Sequence, residues 1–202
     1  MPSPIVHISA GYAIYRIYKH KLPENGCFFS RIPLYFLIIT VLSLLPDLDA
    51  LFGLIFGDME RYHNNLTHSL FFGLLVALVF SGLACWIFGS KFWIWFMVAL
   101  LSYELHVILD VFTGERGVML LWPLVQDRFS SPVKLFYGLQ WGLGFFSIWH
   151  LWTIFTESLF FLIVFFLLNF FDKRSLSKLP GIIEAQKPYL YNNRYRKSGE
   201  NK

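Results

Sequence analysis

The sequence predicts an all-α fold: a polytopic membrane helical bundle of about five transmembrane helices, with a polar metal-binding site near the outer side. Three observations predict it. Of the 202 residues 56% are hydrophobic, 20% aromatic and only 15% charged, where soluble domains run near roughly 25% charged. Several apolar runs approach the ~20 residues that cross a bilayer. Histidines and carboxylates recur inside or at the edges of those runs. A chain this small with 23 Phe and 7 Trp cannot hide its apolar surface in water. That excludes a soluble enzyme and a disordered chain. A disulfide scaffold is excluded too, because the two cysteines, Cys27 and Cys85, form no framework.

Each element follows in order. Ser3-Pro4 opens a helix, with Ser as N-cap and Pro at the first helical position. Residues 5–18 form a short first span, closed by the basic loop Lys19-His20-Lys21. The run 32–45 breaks at Pro46 and resumes over 51–56. A polar loop, 57–65, precedes a clean span over 66–88, with Asn65 as its expected cap. A fourth span covers 92–112 and ends at Thr113-Gly114, with Gly as C-cap. Residues 115–147 are rich in Trp, Phe, Gly and Pro and read as an interfacial segment. The last span is 148–171.

Charge divides the chain. Residues 1–171 carry nine Lys/Arg and ten Asp/Glu, a balance of −1, and residues 172–202 carry eight and three, a balance of +5. The reading is one transmembrane domain, 1–171, and a basic cytoplasmic tail of low order, 172–202. The tail faces an anionic inner leaflet of membrane lipid rather than nucleic acid. No protein partner is legible. The start lacks the basic region and cleavage site of a signal peptide and reads as mature. Arg16, Lys19, Lys21, Arg31 and Lys91 flank connections on the tail's side, which places the N-terminus outside and the C-terminus in the cytoplasm.

Ionisable groups in a bilayer are costly and mark function. Here they are His7, Asp47, Asp49, His63, His68, His106, Asp110 and Glu157, all toward the outer side. At 1.5 Å per helical residue, Asp47, His106 and Glu157 each lie roughly 21–22 Å from the inner end of their spans. His7 lies at roughly 18 Å, and His68 and Asp110 at roughly 28–30 Å. Separate segments thus reach one layer. His106 and Asp110, four apart on a helix, share a face and can grip one ion. Glu104, about 200° from His106, points elsewhere. In an extended stretch Asp47 and Asp49 would point the same way. Taken singly, each group has a plainer explanation: an interfacial histidine, a buried hydrogen-bonded pair, a helix cap, or a contact between His150 and Glu157. The shared depth favours a common site. Carboxylate with imidazole suits zinc, with manganese an alternative, and the set suffices for one or two ions.

The ordered set also resembles a known family. His7, Leu45-Pro46-Asp47-Leu48-Asp49, His63-Asn64-Asn65-Leu66-Thr67-His68-Ser69, His106-x3-Asp110, Gly117 and Trp122-Pro123 are similar to the YdjM-like membrane-bound metal-dependent hydrolases, over about residues 5–170. That family is sometimes labelled LexA-binding, for which these residues offer no support. The resemblance implies distant similarity to zinc-dependent phospholipases C and single-strand nucleases. It implies His7, Asp47, His68, His106 and Asp110 as metal ligands, Asp110 as a bridge between ions, and Glu157 as the late glutamate ligand. The soluble relatives have further histidines after His-x3-Asp, whereas 111–149 contain none here. One or two ions are therefore expected rather than three.

The function expected is metal-dependent hydrolysis of a phosphoester, with a lipid head group as the economical substrate. Asp47 or Asp49, whichever is less engaged, would serve as general base. Arg116 and Arg128, in the outer loop, would meet a phosphate or anchor the interface. Trp122, Trp141, Trp149 and Trp152 would form an aromatic belt. The alternatives are a divalent-cation or proton transporter, against which stands the lack of an inner cluster or repeat, and a scaffold with a structural metal. An intramembrane protease lacks its motifs.

Overall fold

The computed structural model describes residues 2–22, 27–29, 32–57, 62–114, 116–139 and 147–171. The basic tail 172–202, Trp141 and Arg31 lie outside the described residues. By internal contacts the chain divides into a unit Met1–Phe165 and a unit Phe166–Lys202. Of the second, only 166–171, the end of the last helix, are described.

The fold is helical, apart from a short antiparallel pair, β1 (Cys27–Phe29) with β2 (Ile32–Pro33). The first helix, α1 (Pro4–Tyr18), starts where Ser3 caps it: the Ser3 hydroxyl accepts from the Ile5 amide at 3.3 Å. After β2 comes α2 (Leu34–Leu44), then a 3-10 turn (Leu45–Leu48) and α3 (Asp49–Phe56). The extended stretch expected around Pro46 is instead this turn, and the helix resumes at Asp49 rather than at 51. Pro46 sits in the first turn of the 3-10 segment, where its missing N–H costs nothing. Asp47 and Asp49 therefore lie on a helical path, yet both still reach His63 and His68.

The apolar run 66–88 also divides. A 3-10 turn (Leu66–His68) precedes α4 (Leu70–Phe88). The cap is Ser69, whose hydroxyl accepts from the Phe72 amide at 3.2 Å. Asn65, expected in that role, donates its side-chain N–H to the Tyr62 carbonyl at 3.1 Å. His68 is thus held in a turn, outside the span. Gly89 ends α4 in the left-handed region at φ 61°. The next helix, α5 (Phe92–Val111), has Phe112 and not Gly114 as its C-cap, and the Thr113 amide and hydroxyl both donate to the Asp110 carbonyl, at 3.1 and 2.7 Å. Residues 116–139 carry no helix, and isolated bridges join Thr113 to Phe136 and Val118 to Phe129. The last helix is α6 (Ile148–Phe171).

Helix α4 packs along α5, α1 packs on α2, and both α1 and α2 lie against α5. Trp95 on α5 is fully buried, with the Tyr35 and Phe88 rings 5.4 and 5.3 Å away. Tyr12 of α1 stacks on Phe165 of α6 at 5.5 Å. Outward faces are apolar: Trp86, Ile87, Trp93 and Phe155 are all more than 60% exposed. Lipid, not water, solvates such a surface. Helices α4, α5 and α6 are long and apolar enough to cross a membrane. The 15-residue α1 and 11-residue α2 are shorter than the ~20 residues a crossing needs. The start of α1, the turn after α2, the turn before α4 and the end of α5 meet at one end of the bundle, and the polar residues sit there.

Candidate metal centre

Helix α5 brings His106 and Asp110 to one face, four residues apart. The turn after α2 contributes Asp47, and the turn before α4 contributes His68. One ligand atom from each of these four residues falls within 4.8 Å of all the others. Nε2 of His68 and Nε2 of His106 are 3.3 Å apart. Asp47 Oδ1 lies 3.6 and 3.4 Å from these two nitrogens, and Asp110 Oδ2 lies 3.1 and 3.5 Å from them. Ligands about 2.0–2.1 Å from a tetrahedral zinc stand about 3.3 Å from one another. The separations in the quartet scatter around that edge length.

The unpartnered atoms make the same point. Both carboxylate oxygens of Asp47 and of Asp110 are buried and have no hydrogen-bond partner. A buried carboxylate without compensation is costly. A cation between them and the two imidazoles satisfies all four groups, so the donor set fits a divalent ion. Three members are fully buried, and the Asp47 side chain retains 13% exposure although its oxygens are covered.

The surrounding contacts orient the ligands. His106 Nδ1 donates to the Ser43 carbonyl at 2.7 Å. That carbonyl belongs to the last turn of α2, where helix carbonyls lack an i+4 donor. The bond leaves the Nε2 lone pair free to ligate. Gly11 on α1 makes room for this: a Cβ there would stand 2.9 Å from the Ser43 hydroxyl oxygen. His7 stacks on His106, with centroids 3.6 Å apart, and its Nε2 is 3.5 Å from Asp110 Oδ1. Both ring nitrogens of His7 are otherwise unpartnered.

A second group shares His68. Asp49 Oδ1 is 2.7 Å from His63 Nδ1, and Asp49 Oδ2 accepts from the Thr67 hydroxyl at 2.6 Å and lies 3.2 Å from His68 Nδ1. Asp49, His63 and His68 could also hold an ion. His63 Nε2 is buried without a hydrogen-bond partner, 3.9 Å from Asp47 Oδ1.

Glu157, fully buried on α6, accepts the Ser3 amide on Oε2 at 2.7 Å, and its Oε1 has no partner. It belongs to neither four- nor three-residue group. Arg116 donates to the His63 carbonyl at 2.6 Å. Arg128 donates to the Asn64 and Gly117 carbonyls at 3.0 and 3.1 Å and to Asn65 Oδ1 at 2.5 Å. The two arginines thus brace the backbone that carries His63. Burial and the neighbouring Arg116 charge hold the Arg128 guanidinium below its ordinary pKa. Glu104 turns away from the quartet and lies over Gly73 of α4. Ser43, Thr67 and Tyr103 escape the sequence reading. Tyr103 is detectable only from its place three residues before His106, and Thr67 only from its place beside His68.

A family profile described as YdjM inner membrane protein matches residues 1–176. The chain belongs to the YdjM inner membrane protein family. It is also 40% identical over 99 residues to the inner membrane protein YbcI of Escherichia coli (strain K12), covering 46% of this chain and 55% of that protein. The chain therefore spans about half the length of the curated relative it matches. No solved structure matches. Family membership and the apolar helices make this YdjM-family chain a membrane protein with a His/Asp cluster able to hold a metal ion.

Proposed function

We propose that this YdjM-family chain is a membrane-embedded metal-dependent hydrolase of phosphoesters, with its site at the extracytoplasmic side. The observation that carries the reading is the quartet Asp47, His68, His106 and Asp110. Five separations among its ligand atoms are 3.1, 3.3, 3.4, 3.5 and 3.6 Å, near a tetrahedral edge, and its buried carboxylate oxygens have no hydrogen-bond partner. Asp47, His68, His106 and Asp110 would hold a divalent ion, zinc or manganese, which would supply a water of lowered pKa and Lewis-acid polarisation of a phosphoryl oxygen. Asp110 turns Oδ2 toward His68 and Oδ1 toward His7, so both its oxygens face imidazoles.

The chain's own residues supply the rest. Asp49 has both oxygens engaged, which favours a positioning role over that of general base. His63 takes the base's part: its Nδ1–H donates to Asp49, and its Nε2 is left as a proton acceptor beside Asp47. Arg116, anchored by one N–H to the His63 carbonyl, has further donors for a phosphate oxygen. Exposed Leu124, Trp149 and Trp152 flank this end of the bundle and suit a substrate that is itself amphiphilic.

The test is hydrolysis of aryl phosphodiesters and phospholipid vesicles by purified chain loaded with zinc or manganese, with metal content measured on the same samples. Wild type is expected to hold metal and turn over substrate, and His106→Ala to do neither. Wild type that holds metal yet hydrolyses none of these esters would refute the enzymatic reading.

A further inference from the structure

Three hydrogen bonds tie Tyr103, Thr67 and Asp49 to the turn that carries His68, and only one of them ends on a ligand of the quartet, His68 itself. His68 lies in a three-residue 3-10 turn, so no long helix fixes its place. Tyr103, fully buried, donates its phenol O–H to the Thr67 carbonyl at 2.6 Å. That bond ties the turn to α5, the helix that carries His106 and Asp110. Because Tyr103 and His106 are three residues apart, both face the same side of α5. The tie therefore holds the two imidazoles at their 3.3 Å separation.

The Thr67 side chain does a second job. Its hydroxyl donates its only hydrogen to Asp49 Oδ2 at 2.6 Å, and its oxygen stands 3.1 Å from His68 Nδ1. A hydroxyl whose proton is already committed can only accept from that nitrogen. Asp49 Oδ2, 3.2 Å from the same Nδ1, is an acceptor as well. Both neighbours select the imidazole form with hydrogen on Nδ1, which leaves the Nε2 lone pair for an ion.

We propose that Tyr103 and Thr67 are positioning residues of the metal centre: with Asp49 they form an outer shell that sets the tautomer and the place of His68. The proposal rests on the metal-binding reading of the quartet. Outer-shell partners of ligating histidines typically change metal affinity by about 10–100-fold.

The experiment uses the full chain purified in detergent. Zinc affinity is measured by competition with a chromophoric chelator, and the visible absorption of the cobalt(II)-substituted protein reports ligand geometry. Tyr103→Phe and Thr67→Val are expected to bind zinc about 10–100-fold more weakly, at unchanged stoichiometry and with altered cobalt bands. Thr67→Ser, which keeps the hydroxyl, is expected to stay within about threefold of wild type. Wild-type affinity and spectrum in both Tyr103→Phe and Thr67→Val would overturn the proposal. So would a lowered melting temperature of the metal-free protein with affinity and spectrum untouched, or a Thr67→Ser as weak as Thr67→Val. If Thr67→Val does not fold, Tyr103→Phe, which removes one oxygen atom, decides alone. A wild type that binds neither zinc nor cobalt overturns the quartet reading itself, which separates that failure from the outer shell's.

Discussion

Replacing Gly117 with alanine is expected to destabilise the chain by about 2–5 kcal/mol. Gly117 sits at φ 84°, where an L side chain costs about 1–2 kcal/mol. A Cβ there would stand 2.5 Å from the Phe129 carbonyl oxygen and 2.9 Å from its carbon. Those are backbone atoms, so no rotamer relieves the clash. The bridge must open instead, and it consists of Val118 N–H to Phe129 O at 3.0 Å and Phe129 N–H to Val118 O at 2.8 Å. Two such bonds contribute about 0.5–1.5 kcal/mol each. Thermal unfolding in detergent, followed by circular dichroism, should then show the melting temperature falling by roughly 10 °C. Gly114→Ala is the control: its Cβ would meet the Tyr137 carbonyl oxygen at 3.3 Å, tight but no overlap. A Gly117→Ala protein melting within about 2 °C of wild type would refute the argument that this bridge is rigid.

Three further outcomes are expected. Zinc at a hundredfold excess over its dissociation constant should stabilise the wild type by about 2.7 kcal/mol; a melting scan should show the shift lost in Asp110→Ala and kept in Glu104→Gln, whose side chain lies over Gly73 instead. Glu157→Ala should cost about 1–3 kcal/mol by stranding the buried Ser3 amide, and Glu157→Gln, which keeps an acceptor, should cost less by the same unfolding assay. A cysteine introduced into the tail should react with a membrane-impermeant reagent only after intact cells are opened, and labelling from outside would reverse the proposed orientation.

Much of this fold was legible because its signals are local and strong. Ser3-Pro4 marks a helix start, and 148–171 is a run that only a long helix can use. The depth argument put His7, Asp47, His68, His106, Asp110 and Glu157 in one layer by counting helical rise, and of these His7 and Glu157 fall in neither ion-sized group. The errors fell where one side chain overrules a run. Ser69 takes the cap from Asn65 and moves His68 out of α4. Pro46 tightens the chain into a 3-10 turn instead of extending it. Asp47 and Asp49 share His63 and His68 as neighbours, but only the first reaches His106 and only the second bonds Thr67. The outer shell was invisible because Tyr103 and Thr67 are 36 positions apart and meet only by packing. No pattern along the chain announces such a pair.

The bond from His106 to the Ser43 carbonyl bridges 63 positions, and the quartet is complete only when α5 has docked against α2 and the turn before α4. Until then the emerging chain has scattered imidazoles and carboxylates but no cage. A cage able to hold an ion therefore exists only in chains that have threaded α5 correctly, late in membrane insertion.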